Sequence, residues 1–448
     1  MRNHFSAIQA DHELKQRTLE RAKKKNGKKV FISSFSAAAA VLAAVIAGIA
    51  VFTPSLTPNT ADSGNVPPED LSYESGISKE EIYGAPNADS ILSDDSAFPE
   101  TEAEQPIGTS KPNSQEPTKM TAGMLDDNFY FQQWLERKNS HEFDAYGLKA
   151  DRRFAVKVTG KDGTPLAFIS VTLTDEQGSL LYSAVTDIHG NAYLFYEYNQ
   201  TIQGTPARIH VQGFGQKAET AVAADQNEYT ISLNAVPSIP EQLDILFMID
   251  TTGSMGDELH YLKEEAAQML TELTLRYKTK ISINFYRDEG DEYVVKSNPF
   301  TSHTEEAVQQ LRQETVSGGG DYPEAVEKAL ENTIFEHQWR EDSVKIAFFV
   351  LDAPAHESAA VSESLLKSIQ AASEKGIRLI PVMASGADEK TEILCRQLAL
   401  FTGGQFVFIT DHSGIGNAHR EPITTVAYEV KPLITILKEV IYAYTKVD

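Results

Sequence analysis

The spacing of hydrophobic positions changes along the chain, and each change predicts a different kind of structure. Residues 30–52 form one apolar run without a charged residue, whereas residues 54–120 keep no regular hydrophobic period. Residues 151–236 alternate apolar and polar positions, which is typical of half-buried β-strands. Residues 241–448 instead alternate short apolar runs with helical faces. The chain is therefore predicted to contain two folded domains of different class.

The C-terminal part, residues 241–448, has the pattern of an α/β domain. Apolar runs at 243–249, 344–351 and 377–382 predict fully buried strands, and segments with helical spacing separate them. Strands that are buried on both sides and joined by helices are typical of a parallel sheet. We therefore predict a doubly wound, mostly parallel, Rossmann-like sheet, in which ligands bind at the carboxyl ends of the strands.

An all-β domain is predicted before it, over residues 151–236. Its short alternating strands are separated by glycine-containing turns, which is the pattern of a β-sandwich. The stretch 158–194 resembles the carboxypeptidase-regulatory-like and Cna-B-like modules of bacterial surface proteins, which implies a rigid stalk or a packing partner. Residues 121–150 are rich in aromatic side chains, and the spacing of Phe131 and Trp134 predicts a short helical lead-in that caps the next domain.

The N-terminal residues carry the signals of a membrane anchor. Residues 1–29 contain nine Lys or Arg against three acidic residues, and the uncharged run of 23 residues follows directly. At about 1.5 Å per residue, such a run spans a hydrocarbon core of about 30 Å. We predict a basic cytoplasmic tail at 1–29, one transmembrane helix at 30–53 and an extracytoplasmic remainder of a single-pass membrane protein. A cleaved signal peptide is the alternative, although its apolar region is ordinarily shorter, about 7–15 residues.

Charge and composition narrow the function further. The chain has 64 acidic against 40 basic residues, a formal net charge of −24, which argues against nucleic acid as a partner. Its single cysteine, Cys395, rules out an intrachain disulfide and a cysteine-based zinc site. Residues 54–120 hold nine of the 19 prolines and 13 acidic residues, which predicts a disordered, extended linker.

Candidate chemistry lies in three polar loops at the predicted carboxyl ends of strands. Asp250, Thr252 and Ser254 alternate after the first apolar run, so that one tight turn can direct their three oxygens to the same side. Asp321 follows three consecutive glycines, and Asp352 follows another buried run. Oxygen ligands without converging Cys or His side chains suit Mg²⁺, with Mn²⁺ or Ca²⁺ as alternatives. The other interpretation of each Asp is a helix cap at the end of a strand.

The sequence LDILFMIDTTGSM resembles the first metal-ion-dependent adhesion site motif, D-x-[S/T]-x-S, of von Willebrand factor type A domains. The segments YRDEGDEYVV, GGGDYPEAVEKAL and FFVLDAPAH are similar to a bacterial subset of that superfamily. The resemblance implies that Asp250, Thr252, Ser254 and Asp352 bind the metal. Integrin-type domains have a Thr in the second loop, at roughly the place where Asp321 stands in this chain. A third carboxylate there would leave less net positive charge on the bound ion, which would weaken its attraction for an acidic group of a partner.

Three further residues are candidates for the rim of this site. Asp288 and Asp291 belong to an acidic loop after a strand, which suits a second cation, a basic partner or a solvated surface. His356 either donates to a ligand or packs locally.

The resemblance implies a binding protein that holds a divalent cation, of which Mg²⁺ is the first choice. A carboxylate or other oxygen of an extracellular protein ligand would complete the coordination of this ion. We therefore predict a membrane-tethered receptor or adhesion protein that is not an enzyme. One alternative is an extracytoplasmic sensor or scaffold that signals through the short cytoplasmic tail. The other is a metal-dependent hydrolase, although the sequence has no nucleophile elbow, no H-E-x-x-H motif and no phosphate loop.

Overall fold

The computed structural model describes the folded part of the chain, namely residues 119–137, 145–199, 202, 204–237, 240–274, 276–414 and 418–445. All of these residues belong to one compact unit, Pro106–Asp448. The predicted cytoplasmic tail (1–29), the predicted transmembrane helix (30–53) and residues 54–118 of the predicted linker lie outside the described residues. Within the described residues, no helix is long and apolar enough to cross a membrane.

The first elements are strand β1 (Thr121–Leu125) and helix α1 (Phe131–Glu136). Seven short strands follow: β2 (Arg153–Gly160), β3 (Ser170–Thr174), β4 (Leu180–Val185), β5 (Asn191–Phe195), β6 (Arg208–Gly213), β7 (Gln216–Ala221) and β8 (Glu228–Leu233). They form two sheets with the strand orders β5-β2-β8 and β4-β3-β6-β7. Val156 and Val158 of one sheet and Val171 and Leu173 of the other are buried in a shared core, so the two sheets pack as a sandwich.

The C-terminal domain alternates strands and helices. Its elements are β9 (Gln242–Asp250), α2 (Gly256–Thr274), β10 (Lys278–Tyr286), β11 (Val295–Lys296), α3 (Thr304–Gln313), α4 (Val326–Glu331), β12 (Ser343–Leu351), α5 (Ala359–Lys375), β13 (Ile377–Met383), α6 (Glu389–Thr402), β14 (Phe406–Thr410), β15 (Lys431–Pro432) and α7 (Leu433–Thr445). The strand order of its eight-stranded sheet is β11-β10-β9-β12-β13-β14-β1-β15. The five neighbouring strands from β10 to β14 in this order are parallel, which confirms the predicted mostly parallel α/β sheet.

Both faces of this sheet are buried. On one face, Ile245 and Phe247 of β9 pack with residues of α2, α3 and α7. On the other face, Leu246 and Met248 pack with residues of α4, α5 and α6. Successive residues of a strand point to opposite faces, so two covered faces favour apolar residues at most positions of a strand. The continuous apolar runs in the sequence have this cause.

Strand β1 belongs to the large sheet although it precedes the sandwich in the sequence. It runs antiparallel to β14, with Thr121 opposite Thr410 and Leu125 opposite Phe406. The sandwich is therefore an insertion between β1 and β9 of the α/β domain. The pattern of residues 121–150 predicts the helix found as α1 but misses β1. Its sequence, TAGML, has no clear alternation, and Thr121 and Thr410 lie 289 residues apart.

The sandwich packs against α5 and α6 of the α/β domain. The hydroxyl of Tyr182 donates a hydrogen bond to the carbonyl oxygen of Phe401 at 2.8 Å. The guanidinium of Arg378 donates to the carbonyl oxygens of Thr402 and Val185, at 2.7 and 2.6 Å. These donors are buried, so separating the two domains would leave polar groups without partners.

Candidate metal site

Asp250 and Asp352 lie at the carboxyl ends of two neighbouring parallel strands. Asp250 is the last residue of β9, and Asp352 directly follows β12. The register pairs Ile249 with Val350, the residues just before these two strand ends. Asp250 is fully buried and Asp352 is 4% exposed. The sheet thus brings together two predicted ligands that are distant in the sequence.

The loop after β9 turns back toward Asp250. Thr252 is extended, and Gly253–Met255 form a single 3-10 turn that leads into α2. Oδ1 of Asp250 accepts hydrogen bonds from the backbone N and from Oγ1 of Thr252, at 2.8 and 2.7 Å. Oγ1 of Thr252 lies 3.3 Å from Oγ of Ser254, so both hydroxyls lie beside Asp250. The structure therefore gathers four of the five predicted metal ligands.

The glycine-rich loop after α3 approaches this turn closely. The carbonyl oxygen of Gly318 accepts a hydrogen bond from the backbone N of Gly253 at 3.2 Å. Gly318 and Gly319 both adopt left-handed backbone conformations, with φ of 83° and 75°. Side chains other than glycine are strained at such angles, so the glycines allow the two loops to meet.

The fifth predicted ligand, Asp321, is exposed, and the structure places Glu324 beside the other four instead. Glu324 is 3% exposed. A Cβ atom added to Gly319 would lie 3.0 Å from Oε1 of Glu324 and 3.1 Å from Cβ of Thr252, so these two side chains flank the same gap. The prediction misses Glu324 because side-chain directions after three glycines cannot be inferred from spacing. The backbone N of Glu324 donates to the carbonyl oxygen of Pro354 at 2.9 Å, which holds Glu324 beside the loop after β12.

Three carboxylate oxygens are buried here without a hydrogen-bond partner: Oδ2 of Asp250, Oδ1 of Asp352 and Oε2 of Glu324. Burial and the charge of Asp352 raise the pKa of Asp250 to about 7, and burial raises the pKa of Asp352 to about 6. Burial and repulsion by Asp250, Asp288 and Asp352 raise the pKa of Glu324 to about 9. These groups are therefore electrostatically strained when all of them are ionised.

The donor atoms fit a hard divalent cation. The carboxylates of Asp250 and Asp352 and the hydroxyls of Thr252 and Ser254 are the oxygen donors that Mg²⁺, Mn²⁺ and Ca²⁺ prefer. A bound cation would compensate the buried oxygens that have no partner. Among the residues that the structure describes, no three Asp, Glu, His or Cys side chains form a metal-binding cluster on their own. Glu324 lies beside the Thr252 side chain at the edge of this donor set.

The predicted rim residues Asp288, Asp291 and His356 lie close to this donor set, and Asp288 and Asp291 both act on Glu324 electrostatically. Nε2 of His356 lies 2.7 Å from Oδ1 of Asp288. Burial lowers the pKa of His356, but the hydrogen bond and the charge of Asp288 raise it overall. Oδ2 of Asp291 accepts hydrogen bonds from the backbone N atoms of Asp288 and Gly319, at 3.2 and 3.0 Å. His356 thus has the local partner that one of its two interpretations requires.

A buried network that the sequence analysis does not identify holds these loops in place. Arg287 is 2% exposed and donates to the carbonyl oxygen of Thr315 at 2.7 Å, while its guanidinium lies 3.4 Å from the Glu314 carboxylate. The hydroxyl of Tyr293 donates to Glu314 at 2.7 Å and lies 2.8 Å from Oγ1 of Thr251. The network ties the loop after β9 to those after β10 and α3. The sequence does contain one sign of this network, since Arg287 directly follows a strand and a buried guanidinium needs several acceptors around it.

Comparison with known proteins assigns a family to this region. Residues 244–411 match the von Willebrand factor A domain family. A segment of 131 residues is 30% identical to an ariadne-like RING finger protein of Acanthamoeba polyphaga mimivirus and covers 28% of this chain and 12% of that protein. A segment of 169 residues is 25% identical to alpha-protein kinase vwkA of Dictyostelium discoideum and covers 37% of this chain and 26% of that protein. The chain thus spans about a quarter or less of the length of these relatives.

One solved structure, the conserved hypothetical protein BatB from Bacteroides thetaiotaomicron, aligns with 37% of this chain and 89% of that chain, at 18% identity and a TM-score of 0.29. The family match runs from β9 to the end of β14 and includes both Asp250 and Asp352. Domains of this family are generally used for protein–protein interaction. Residues 244–411 of this chain are therefore a von Willebrand factor A domain.

Proposed function

We propose that this von Willebrand factor A domain binds a protein partner through a divalent cation, with Mg²⁺ as the first choice. Asp250, Thr252, Ser254 and Asp352 would hold the ion. The observation that carries the proposal is the pair of buried carboxylate oxygens without a partner, Oδ2 of Asp250 and Oδ1 of Asp352. A buried carboxylate without compensation is costly, and a cation offsets that cost. The bound ion would supply a directional contact for an oxygen atom of the partner.

The chain's own residues have separate tasks in this proposal. Oδ1 of Asp250 is occupied by its two hydrogen bonds from Thr252, so Oδ2 is left for the ion. The Ser254 hydroxyl lies 3.3 Å from that of Thr252, which keeps both hydroxyls beside Asp250. The loops around them are fixed by the Arg287 network and would determine which partner fits.

We also propose that the domain lies outside the cell, anchored by a single membrane-spanning segment with a cytoplasmic N-terminus. Its support is the basic stretch 1–29 before the uncharged run 30–52. A sensor or scaffold would use the same anchor, and deleting residues 1–29 separates the two roles. If partner binding survives and only a downstream response is lost, the result supports the sensor or scaffold role.

The proposed role is non-catalytic. The sequence has none of the nucleophile-elbow, H-E-x-x-H or phosphate-loop motifs that metal-assisted or nucleophilic hydrolases carry. A turnover assay on acidic peptides and glycans with Mg²⁺ present tests the competing hydrolase role. Product formation that disappears in Asp352→Ala would contradict the binding-only proposal.

Thermal unfolding of the purified chain with EDTA, Mg²⁺, Mn²⁺ or Ca²⁺ tests the metal site. Binding to the native state stabilises it by about 2.7 kcal/mol when the ion is at 100 times its Kd. We expect the midpoint to rise by several degrees with Mg²⁺ in the wild type and in Asp225→Asn, an exposed position in the sandwich domain. Asp250→Ala should lose the rise. A rise of equal size in Asp250→Ala, or none with any ion, would contradict the proposal.

A further inference from the structure

The loop after β12, residues 352–358, begins with one of the proposed metal ligands, and we call it the aspartate loop. Other parts of the chain hold its backbone in place. The carbonyl oxygen of Pro354 accepts a hydrogen bond from the backbone N of Glu324 at 2.9 Å. The carbonyl oxygen of Ala355 accepts one from the hydroxyl of Tyr146 at 2.6 Å. Ala355 is 1% exposed and Tyr146 is 3% exposed, so this second bond is shielded from water.

Tyr146 belongs to the segment that leads from α1 into the sandwich, residues 145–150, which we call the junction segment. The carbonyl oxygen of Leu148 accepts a hydrogen bond from Nε2 of Gln397 in α6 at 2.9 Å. The next backbone N–H along the chain donates to the carbonyl oxygen of Tyr198 in the sandwich, also at 2.9 Å. The junction segment is therefore bonded to both domains, and the Tyr146 hydroxyl connects it to the aspartate loop.

The path from Ala355 to the proposed ligand Asp352 is short and stiff. It consists of three peptide links, which span at most about 11 Å. The two residues between them are Ala353, which is 2% exposed, and Pro354, whose ring fixes its φ angle. Metal–ligand distances hold to within about 0.2 Å, so a small displacement at a ligand matters. A shift of Ala355 would therefore be felt at the Asp352 carboxylate.

We infer that Tyr146 is a positioning residue of the metal site, which holds the aspartate loop in the arrangement that presents Asp352 to the ion. The inference rests on the proposed function and adds to it a role for the chain that inserts the sandwich. Loss of the hydroxyl leaves the buried carbonyl oxygen of Ala355 without this donor, so the loop relaxes toward other arrangements. A site that is competent for only a fraction of the time binds its ion more weakly by that fraction. By linkage, the contact with the junction segment is in turn tighter when the ion is bound.

Tyr182 offers a matched control. It is 3% exposed, like Tyr146, and its hydroxyl also donates to a backbone carbonyl oxygen of the α/β domain, that of Phe401 at 2.8 Å. The next carbonyl oxygen, of Thr402, accepts from Arg378, which lies at the start of β13. The Tyr182 contact therefore lies at the amino edge of the sheet, opposite the metal site. A change to Phe removes the same kind of bond at either position and keeps the ring.

Isothermal titration calorimetry with MgCl₂ on the purified full chain tests the inference in the wild type, Tyr146→Phe and Tyr182→Phe. We expect Tyr146→Phe to weaken Mg²⁺ binding about threefold to tenfold, which is less than the loss of a direct partner of a metal ligand causes. Tyr182→Phe should leave the affinity for Mg²⁺ unchanged, although both variants lower the unfolding midpoint in EDTA. An unchanged affinity in Tyr146→Phe, or an equal loss in the two variants, would overturn the inference.

Hydrogen exchange in EDTA gives a second measurement, which needs no metal. The backbone amide of Glu324 donates to the carbonyl oxygen of Pro354, so its exchange reports whether the aspartate loop stays in place. Tyr146→Phe should speed this exchange, and Tyr182→Phe should not. A wild-type rate in Tyr146→Phe would contradict the inference even if Mg²⁺ bound more weakly, because the hydroxyl would then act by another route.

The wild type separates the two proposals. No Mg²⁺ binding in the wild type contradicts the proposed metal site, and the inference fails with it. Mg²⁺ binding in the wild type together with equal affinity in Tyr146→Phe contradicts only the role of Tyr146.

Discussion

Asp250→Asn removes one buried charge from the metal-free domain and should stabilise it at neutral and alkaline pH. Asparagine has nearly the same shape, and its side-chain oxygen keeps the two hydrogen bonds from Thr252. Burial and the charge of Asp352 raise the pKa of Asp250 from 3.8 to about 7 in the folded protein. One pKa unit corresponds to about 1.4 kcal/mol. The folded, metal-free wild type should therefore lose on the order of 4 kcal/mol when this carboxyl ionises.

The size of this effect depends on pH. Below a pH of about 4, the carboxyl is protonated in both the folded and the unfolded chain, so it costs nothing. As the pH rises from 3.8 to about 7, the unfolded chain releases its proton while the folded protein keeps it. Unfolding becomes more favourable over this window, and the advantage of the Asn variant grows. Above the folded-state pKa of about 7, the advantage becomes constant.

Urea unfolding in EDTA at several pH values between 5 and 8.5 measures the difference between the two proteins. Asp225→Asn is the control, because it makes the same substitution at an exposed position of the sandwich. With saturating Mg²⁺, the order should reverse, since only the wild type retains both carboxylates for the ion. A difference that stays constant with pH would refute the reasoning. So would an Asn variant that is less stable than the wild type in EDTA at pH 8.

Three further predictions concern the fold and the loops around the site. Gly318→Ala should destabilise the domain by about 2 kcal/mol or more, because it adds backbone strain and a clash with the Asp291 carboxylate. Gly215 is also left-handed but faces open space, so Gly215→Ala should cost only the strain of about 1 kcal/mol. Equal losses of stability in urea unfolding would contradict the clash. Arg378→Ala should lower the free energy of unfolding by about 2–4 kcal/mol in the same assay, because it removes two buried hydrogen bonds from a charged donor. A loss below about 1 kcal/mol would show that Arg378 does not stabilise the contact between the two domains. A fragment of residues 241–448 lacks β1 and should show no cooperative melting by circular dichroism, whereas residues 119–448 should melt cooperatively; equal melting would show that β1 is dispensable.

The convergence of Asp250 and Asp352 could be predicted because it follows from local pattern and general geometry. Each residue comes at the end of a continuous apolar run, and the carboxyl ends of neighbouring parallel strands meet at one edge of a sheet. The order of the strands did not need to be known in detail. Spacing within one turn then placed Thr252 and Ser254 next to Asp250.

Glu324 and β1 show where such reasoning stops. The direction of Glu324 depends on how three glycines turn the chain and on its backbone pairing with the loop after β12, and neither is set by residue spacing. The place of β1 depends on pairing with residues 406–410, and a strand of five residues carries too little pattern to specify a partner so far away in the sequence. Both are consequences of tertiary contact.

The insertion of the sandwich after β1 has a mechanical consequence. A pull on the chain at residue 119, with a partner held at Asp250, is transmitted through the hydrogen bonds between β1 and β14 and then across the sheet to β9. While these bonds hold, the sandwich lies outside the path of the force and is not stretched. Release of β1 would next load the contacts of Asp127 and Asn128 with α6, and only then the sandwich strands. The five paired residues 121–125 are therefore the first part of the folded region to bear a force applied at residue 119.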